Sequence, residues 1–268
     1  VNTVDLSPPE ADLARRFGGV ARLYGEEGAA KLRRAHVAVI GIGGVGTWAA
    51  EALARSAVGV ITLIDMDHIA ESNTNRQIHA LGDAYGRAKV EAMATRIVAI
   101  NPSCDIRPID DFITAENAAQ FIAGYDFVLD CIDQVNAKAA LIARARAVNI
   151  PVVTCGAAGG RLDPVRISRG DLAVIAGDPL LAKVRQRLRR DYGFPRESGA
   201  RRTKFHVLAV YSDEPVQRPA PAPGEGEDVV GGLACAGYGS SVAVTATMGF
   251  VAASVALTQI AQAPDGGA

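Results

Sequence analysis

The chain has 268 residues, 49% of them hydrophobic and 21% charged, with a net charge of −1. This is the profile of an ordinary globular protein holding one large α/β domain, or one domain with an appendage. Four cysteines, no two of them spaced C-x-x-C, exclude a disulfide framework and a cysteine-paired zinc site.

Val1 to Glu10 is polar and without a leader pattern, so a cytoplasmic location is expected. Short helices are predicted over Pro8–Phe17 and Glu26–Arg34. His36–Ile40 reads as a buried strand and runs directly into Gly41-Ile42-Gly43-Gly44-Val45-Gly46. A helix follows from Val45 to about Ser56, then a second strand, Val60–Ile64, ending in Asp65-Met66-Asp67. Ile69–Leu81 is polar and Asn-rich, which suits a loop with a short helical turn. Tyr85–Ile100 places Val90, Met93, Ala94 and Ile97 at helical spacing and stops at Asn101-Pro102. Next come a short strand (Cys104–Ile109), a helix (Ala115–Ala123), an apolar strand (Tyr125–Ile132), a helix (Ala137–Asn149) and a strand (Ile150–Cys155). Cys131 and Cys155 then fall in strands, as buried apolar residues. Beyond Gly156 the pattern changes to an edge strand (Pro164–Arg169), a basic amphipathic helix (Pro179–Tyr192), a strand (Phe205–Tyr211) and a Pro- and Gly-rich loop over 217–230. Ser240–Ala261 has the length of a membrane span, but its many small residues suit a core or dimer-interface helix, so no membrane partner is expected. The class is α/β: a Rossmann-like, mostly parallel sheet with helices on both faces, plus a C-terminal extension of mixed strands and helices.

Gly41, Gly43, Gly44 and Gly46 after a buried strand form a nucleotide-binding turn, with Asp65 placed for a ribose hydroxyl. A glycine turn alone points most often to NAD and a dehydrogenase. The next residues argue for ATP: Asn73, Arg76 and Gln77 follow the second strand, Lys89 opens the next helix, and Asp130 and Asp133 end a later strand at the same sheet edge. Arginine and lysine suit a triphosphate, and a carboxylate beside them suits Mg²⁺. Each has a plainer reading: Arg76 and Lys89 as solvated charges, Asp133 as a helix N-cap, Asp65 as a turn residue.

In that order, these residues resemble the E1-like adenylating family that includes the bacterial molybdopterin- and thiamine-activating enzymes. The resemblance runs from about Arg16 to Ala158. It implies that Asp65 binds ribose, that Asn73, Arg76 and Lys89 hold the triphosphate, that Asp133 carries Mg²⁺, and that Asp67 and Gln77 line the pocket. Arg76, Lys89 and Asp133 are then the catalytic candidates, with ATP and Mg²⁺ as cofactors and a monovalent cation as a further candidate. Two departures stand out. The family's R-x-x-R element reads Arg16-Phe17-Gly18-Gly19 here, leaving Arg22 as a substitute for the second arginine. The zinc cysteine pairs usual in sulfur-carrier activators are missing.

Four segments, Arg16–Gly25, Asn73–Leu81, Gly156–Pro164 and Cys235–Gly239, resemble one tRNA-modifying branch of this family and extend the match to nearly the whole chain. That branch implies ATP-dependent adenylation of the threonylcarbamoyl carboxylate on adenosine 37 of tRNA, then cyclisation to an oxazolone with loss of water. The expected organisation is an N-terminal helical segment (1–35), an ATP-binding core (36–158), and a C-terminal part of the same domain (159–268).

The implied tRNA partner suits the stretch from Lys183 to Lys204. It holds nine Lys or Arg against Asp191 and Glu197, a local charge of +7 that leaves −8 elsewhere. Lys183, Arg187, Arg190, Arg201, Arg202 and Lys204 are the candidate phosphate contacts, with Tyr192, Phe194 and Phe205 as stacking surfaces. A solvated helix face is the plainer reading. Cys235, in a small-residue run, is a candidate contact for a sulfur-relay partner (a cysteine desulfurase or sulfur acceptor) or a structural residue. A homodimer is expected, since the family builds its ATP sites near a dimer interface. The competing functions are activation of a ubiquitin-like sulfur carrier and nucleotide binding without chemistry.

Overall fold

The structure, a computed structural model, describes residues 11–196, 203–217 and 238–264. Seven strands form one sheet: β1 (His36–Ile40), β2 (Val60–Ile64), β3 (Asp105–Ile109), β4 (Phe127–Asp130), β5 (Val152–Cys155), β6 (Ile167–Asp171) and β7 (Leu208–Ser212). Their order is β3-β2-β1-β4-β5-β7-β6. Every pair is parallel except β6–β7.

Parallel strands need crossovers, and here helices supply them on both faces. Val37, Val39, Ile61, Leu63, Phe127 and Leu129 point to one face. That face is covered by α1 (Leu13–Arg34), α2 (Gly46–Arg55), α3 (Lys89–Ile100) and α7 (Val242–Gln262). Ala38, Ile40, Ile64, Val128 and Val152 point to the other. There α4 (Ala118–Phe121), α5 (Val135–Ala147) and α6 (Pro179–Asp191) cover them. The alternation within single strands gives each face its own core.

β1 and β2 occupy the residues the sequence predicts, and several other elements differ for local reasons. The N-terminal helix starts at Leu13, capped by Asp12, and the two expected helices meet at Gly25, whose φ of 75° breaks the helical path. The helix expected from Tyr85 begins only at Lys89, because Gly86 takes φ 82° and Ala88 bridges to His68. Ala115–Ala123 shrinks to α4, a single turn. Thr114 and Asn117 hold the preceding backbone in a non-helical turn through their side chains. Pro164–Arg166 is a 3₁₀ turn, so the edge strand begins at Ile167. The strand expected from Phe205 begins at Leu208, since the Phe205 and His206 N–H groups donate to the Asp171 carboxylate instead of a neighbouring strand. Cys131 lies one residue past β4.

β6 and β7 complete the same sheet. α7 packs on α2 and α1 and beneath β4 and β5. A Cβ at Gly249 would lie 2.5 Å from the Val45 carbonyl oxygen, so glycine permits this approach to α2. Among the described residues α7 is the one helix long and apolar enough to cross a membrane, but Met248, Ala252, Ala253 and Ala256 are buried in the core.

Chain order reverses between β1, which leads outward to β2, and β4. Such a switch opens a crevice at the carboxyl ends of the strands, where ligands bind in open α/β sheets.

Candidate nucleotide site

The crevice is a cavity of about 490 Å³ above the carboxyl ends of β1, β2 and β4. Its floor is the glycine turn. Gly41 takes φ 88°, and a Cβ there would sit 2.9 Å from the Cys131 carbonyl, so only glycine fits between β1 and β4. A Cβ at Gly44 would press at 3.1 Å on the Arg76 side chain; the bare turn lets that arginine lie across it. α2 starts with Val45 as N-cap and no side-chain cap. The positive end of an uncapped helix is thereby available to phosphate.

Asp65, at the end of β2, is largely buried. Its Oδ2 accepts the Ile42 N–H at 2.6 Å and its Oδ1 the Asp67 N–H at 2.8 Å. Burial raises its pKa, and the Lys89 ammonium is the main opposing influence. Lys89 is itself buried, with Nζ 2.6 Å from Asp67 Oδ2 and 3.9 Å from Asp65 Oδ1. Asp67 is an exposed partner that an incoming phosphate can replace, whereas Asp65 is fixed by the backbone.

Asn73 Oδ1 accepts the Ala70 N–H at 3.0 Å and closes the turn Glu71–Asn73. That turn delivers Arg76, whose guanidinium donates to the Ser72 carbonyl and to Asn75 Oδ1, each at 2.9 Å. The Arg76 carbonyl accepts the Trp48 indole N–H at 2.9 Å. Gln77 is buried with its Oε1 unpartnered. Asp133 stands exposed at the rim. The N-cap of α5 is Gln134, so Asp133 does not cap that helix.

Gly41, Gly43, Gly44, Asp65, Asp67, Asn73, Arg76, Gln77, Lys89 and Asp133 all line this cavity. Gly46 lies behind it, where a Cβ would collide with the Gly41 carbonyl. Arg22 is not brought to the cavity: it is exposed on α1, and its guanidinium lies near Gly18 of the same helix. Arg16 serves elsewhere, donating to the Ala99 and Ile100 carbonyls at the end of α3.

Sequence reasoning missed part of the wall. Asp111-Phe112-Ile113 after β3, Gly156-Ala157-Ala158 after β5, Leu180 and Thr245 also line the cavity. The available signal was position alone, just past the carboxyl ends of β3 and β5. Asp130, named from the sequence only as part of the strand end, is fully buried: its carboxylate lies 2.8 Å from Lys138 Nζ and accepts the Thr154 hydroxyl at 2.6 Å, a pairing the sequence did not signal. Burial raises the Asp130 pKa against the pull of Lys138.

Among the described residues no three His, Cys, Asp or Glu gather into a metal cage. Asp133, one of the carboxylates lining the cavity with Asp65, Asp67 and Asp111, offers a hard oxygen ligand of the kind that fits Mg²⁺ when ATP phosphates complete the shell. His79 is buried close to Lys89, and neither ring nitrogen makes a hydrogen bond of good geometry. Burial, then Lys89 and Arg96, depresses its pKa to about 4.

The basic residues lie on and beyond α6. Lys183, Arg190 and Lys204 are exposed and Arg187 is half-buried. Arg187 and Arg190 both pair with Asp191. Arg201, Arg202, Cys235 and most of the 217–230 loop lie outside the described residues. Two of the three expected stacking surfaces are corrected, while Tyr192 is half-buried. Phe194 and Phe205 are buried, edge to face at 4.9 Å, beneath Arg146 and Arg189, and cannot receive a base. They serve the core on which α6 rests.

Compared with known proteins, residues 18–263 match the ThiF family model. The tRNA threonylcarbamoyladenosine dehydratase of Escherichia coli (strain K12) is 50% identical over 256 residues, covering 92% of this chain and 93% of its own length. The crystal structure of E. coli tRNA N6-threonylcarbamoyladenosine dehydratase, TcdA, in complex with ATP matches with a TM-score of 0.83 at 49% identity, covering 93% of this chain and 96% of that one. The same enzyme in complex with AMP gives 0.84 at 49% identity, covering 94% and 96%.

Proposed function

The chain belongs to the ThiF family, and we propose that it is an ATP-dependent dehydratase of threonylcarbamoyladenosine in tRNA. The observation that carries this reading is the 50% identity to the E. coli dehydratase across nearly the full length of both chains. The cavity supports it: a glycine turn, Arg76, a buried Lys89 and an unengaged Asp133 surround one space.

The attacking group needs no base, because a carboxylate is already ionised at neutral pH. Its oxygen bonds to the α-phosphorus of ATP as the bond to pyrophosphate breaks. The carbamoyl oxygen then closes on the activated acyl carbon as the bond to AMP breaks and the adjacent carbamoyl N–H gives up its proton, so one water is lost overall. The difficulty is bringing two anions together. Lys89 and Arg76 meet it by offsetting phosphate charge in a partly dry cavity, and the uncapped end of α2 adds its dipole. Lys89 exchanges Asp67 for phosphate, while Asp65, held by the Ile42 and Asp67 N–H groups, keeps lone pairs for the ribose hydroxyls. Asp133 would hold Mg²⁺, which when bound screens the phosphates. Positioning supplies much of the remaining acceleration.

In this reading the protein works as a cytoplasmic homodimer. Arg22, which does not reach the cavity of its own chain, serves the neighbouring subunit. The exposed cations of α6 meet tRNA phosphates, and Cys235 contacts a sulfur-relay partner. The test is AMP release: it should require tRNA that carries the threonylcarbamoyl group and should match the adenosine converted. AMP released equally with unmodified tRNA would overturn the proposal.

A further inference from the structure

Arg161 and Asp178 form an ion pair in which both side chains are fully buried, at 3.0 Å. Arg161 also donates to the Ala157 carbonyl and, at 3.3 Å, to the Gly177 carbonyl. Asp178 is the N-cap of α6, accepting the Leu181 N–H at 2.9 Å through Oδ1, while its Oδ2 accepts the Ala157 N–H at 3.0 Å. A Cβ on Gly156 would lie 2.2 Å from that same Oδ2, so the loop must be bare there.

The pair therefore joins two functional surfaces. On one side are Gly156, Ala157 and Ala158, the cavity wall after β5. On the other is the start of α6, the helix that carries Lys183, Arg187 and Arg190. An ion pair this deeply buried is a poor stabiliser, since its desolvation cost rivals its attraction and an apolar pair would hold the core as well. What the charges add is direction: one guanidinium fixes the Ala157 carbonyl, the Gly177 carbonyl and the helix cap in a single register.

We infer that Arg161 and Asp178 are positioning residues that register helix α6 against the 156–158 wall of the cavity. The inference rests on the function proposed above. Engagement of α6 by tRNA sets the 156–158 wall, and the wall seats the threonylcarbamoyl group for attack.

The test compares the full-length protein with the double variant Arg161→Met/Asp178→Asn, which removes both buried charges and keeps a capping side chain. Arg161→Lys is the conservative control. ATP affinity, measured by titration calorimetry, stays within about twofold in all three proteins. The kcat for dehydration falls at least about tenfold in the double variant, and Arg161→Lys recovers part of it. Hydrogen exchange gives a readout independent of chemistry. Adding tRNA protects both α6 and residues 156–160 in the unmodified protein, but α6 alone in the double variant. Unchanged kcat with unchanged coupled protection would overturn the inference, as would an ATP affinity that falls in parallel with kcat. If the double variant does not fold, Arg161→Lys decides alone: it must lower kcat and weaken protection of 156–160 while ATP binding holds. A parent protein that fails to dehydrate tRNA counts against the proposed function, and the exchange experiment still judges the coupling.

Discussion

His79 offers a sharp test of how the nucleotide site is built. Its ring is buried close to Lys89, makes no hydrogen bond of good geometry and has its pKa depressed from 6.5 to about 4. Burial dominates, Lys89 and Arg96 add repulsion, and the Ile42 backbone opposes weakly. Between these two values the unfolded chain binds the proton and the folded chain does not. Stability is therefore intact above pH 6.5 and falls as the pH drops toward 4. The loss is about 2 kcal/mol by pH 5 and about 3 kcal/mol by pH 4. In a chain of this size about 2 kcal/mol corresponds to roughly 4–8 °C in Tm. His79→Leu removes the titrating group and no hydrogen bond of good geometry, so it should cost little at pH 7.5. Thermal melts of both proteins from pH 7.5 to pH 5 should diverge by that amount, with the leucine variant gaining. Parallel Tm–pH curves would mean that His79 charges freely in the folded protein and that this part of the site is wet.

Further outcomes follow from the same geometry. Lys89→Met should leave the fold intact and lower kcat for AMP formation by roughly 10²–10³, as loss of one preorganised charged donor does; a change under about threefold would remove Lys89 from the chemistry. Asp133→Asn should raise the Mg²⁺ concentration needed for half-maximal activity by about tenfold or more, and an unchanged requirement would place the metal elsewhere. Trp48, the chain's one tryptophan, donates to the Arg76 carbonyl, so ATP titration should change its emission and the change should be lost with Arg76→Ala. Binding of tRNA should weaken steeply with salt, and Lys183→Glu should reduce the slope of log K against log salt by about one or two units; a flat response would remove α6 from the interface.

Much of the fold was legible because its signals are local. His36–Ile40 and Val60–Ile64 are short apolar runs bounded by turn residues, and a parallel sheet buries such runs on both faces. The site was legible because residues far apart in sequence all lie at the carboxyl ends of strands, and a doubly wound sheet gathers those ends along one edge. Three things were not legible. The late starts of a helix after Gly86 and of a strand after His206 depend on partners supplied from elsewhere, an Ala88–His68 bridge in one case and the Asp171 carboxylate in the other. Phe194 and Phe205 beside a basic run read alike as stacking platforms or as core, and only packing on α5 and β7 decides for core. The buried pairs Asp130–Lys138 and Arg161–Asp178 have no spacing signature, because each joins side chains of different elements that meet only when those elements pack.

In the proposed function this cavity uses ATP to remove water from a modified adenosine in tRNA. The most direct measurement is mass spectrometry of nucleosides from threonylcarbamoyl-modified tRNA after incubation with the protein, ATP and Mg²⁺. The threonylcarbamoyl nucleoside should be replaced by a product lighter by one water, only when ATP is present. A nucleoside of unchanged mass after full incubation with ATP would contradict that function.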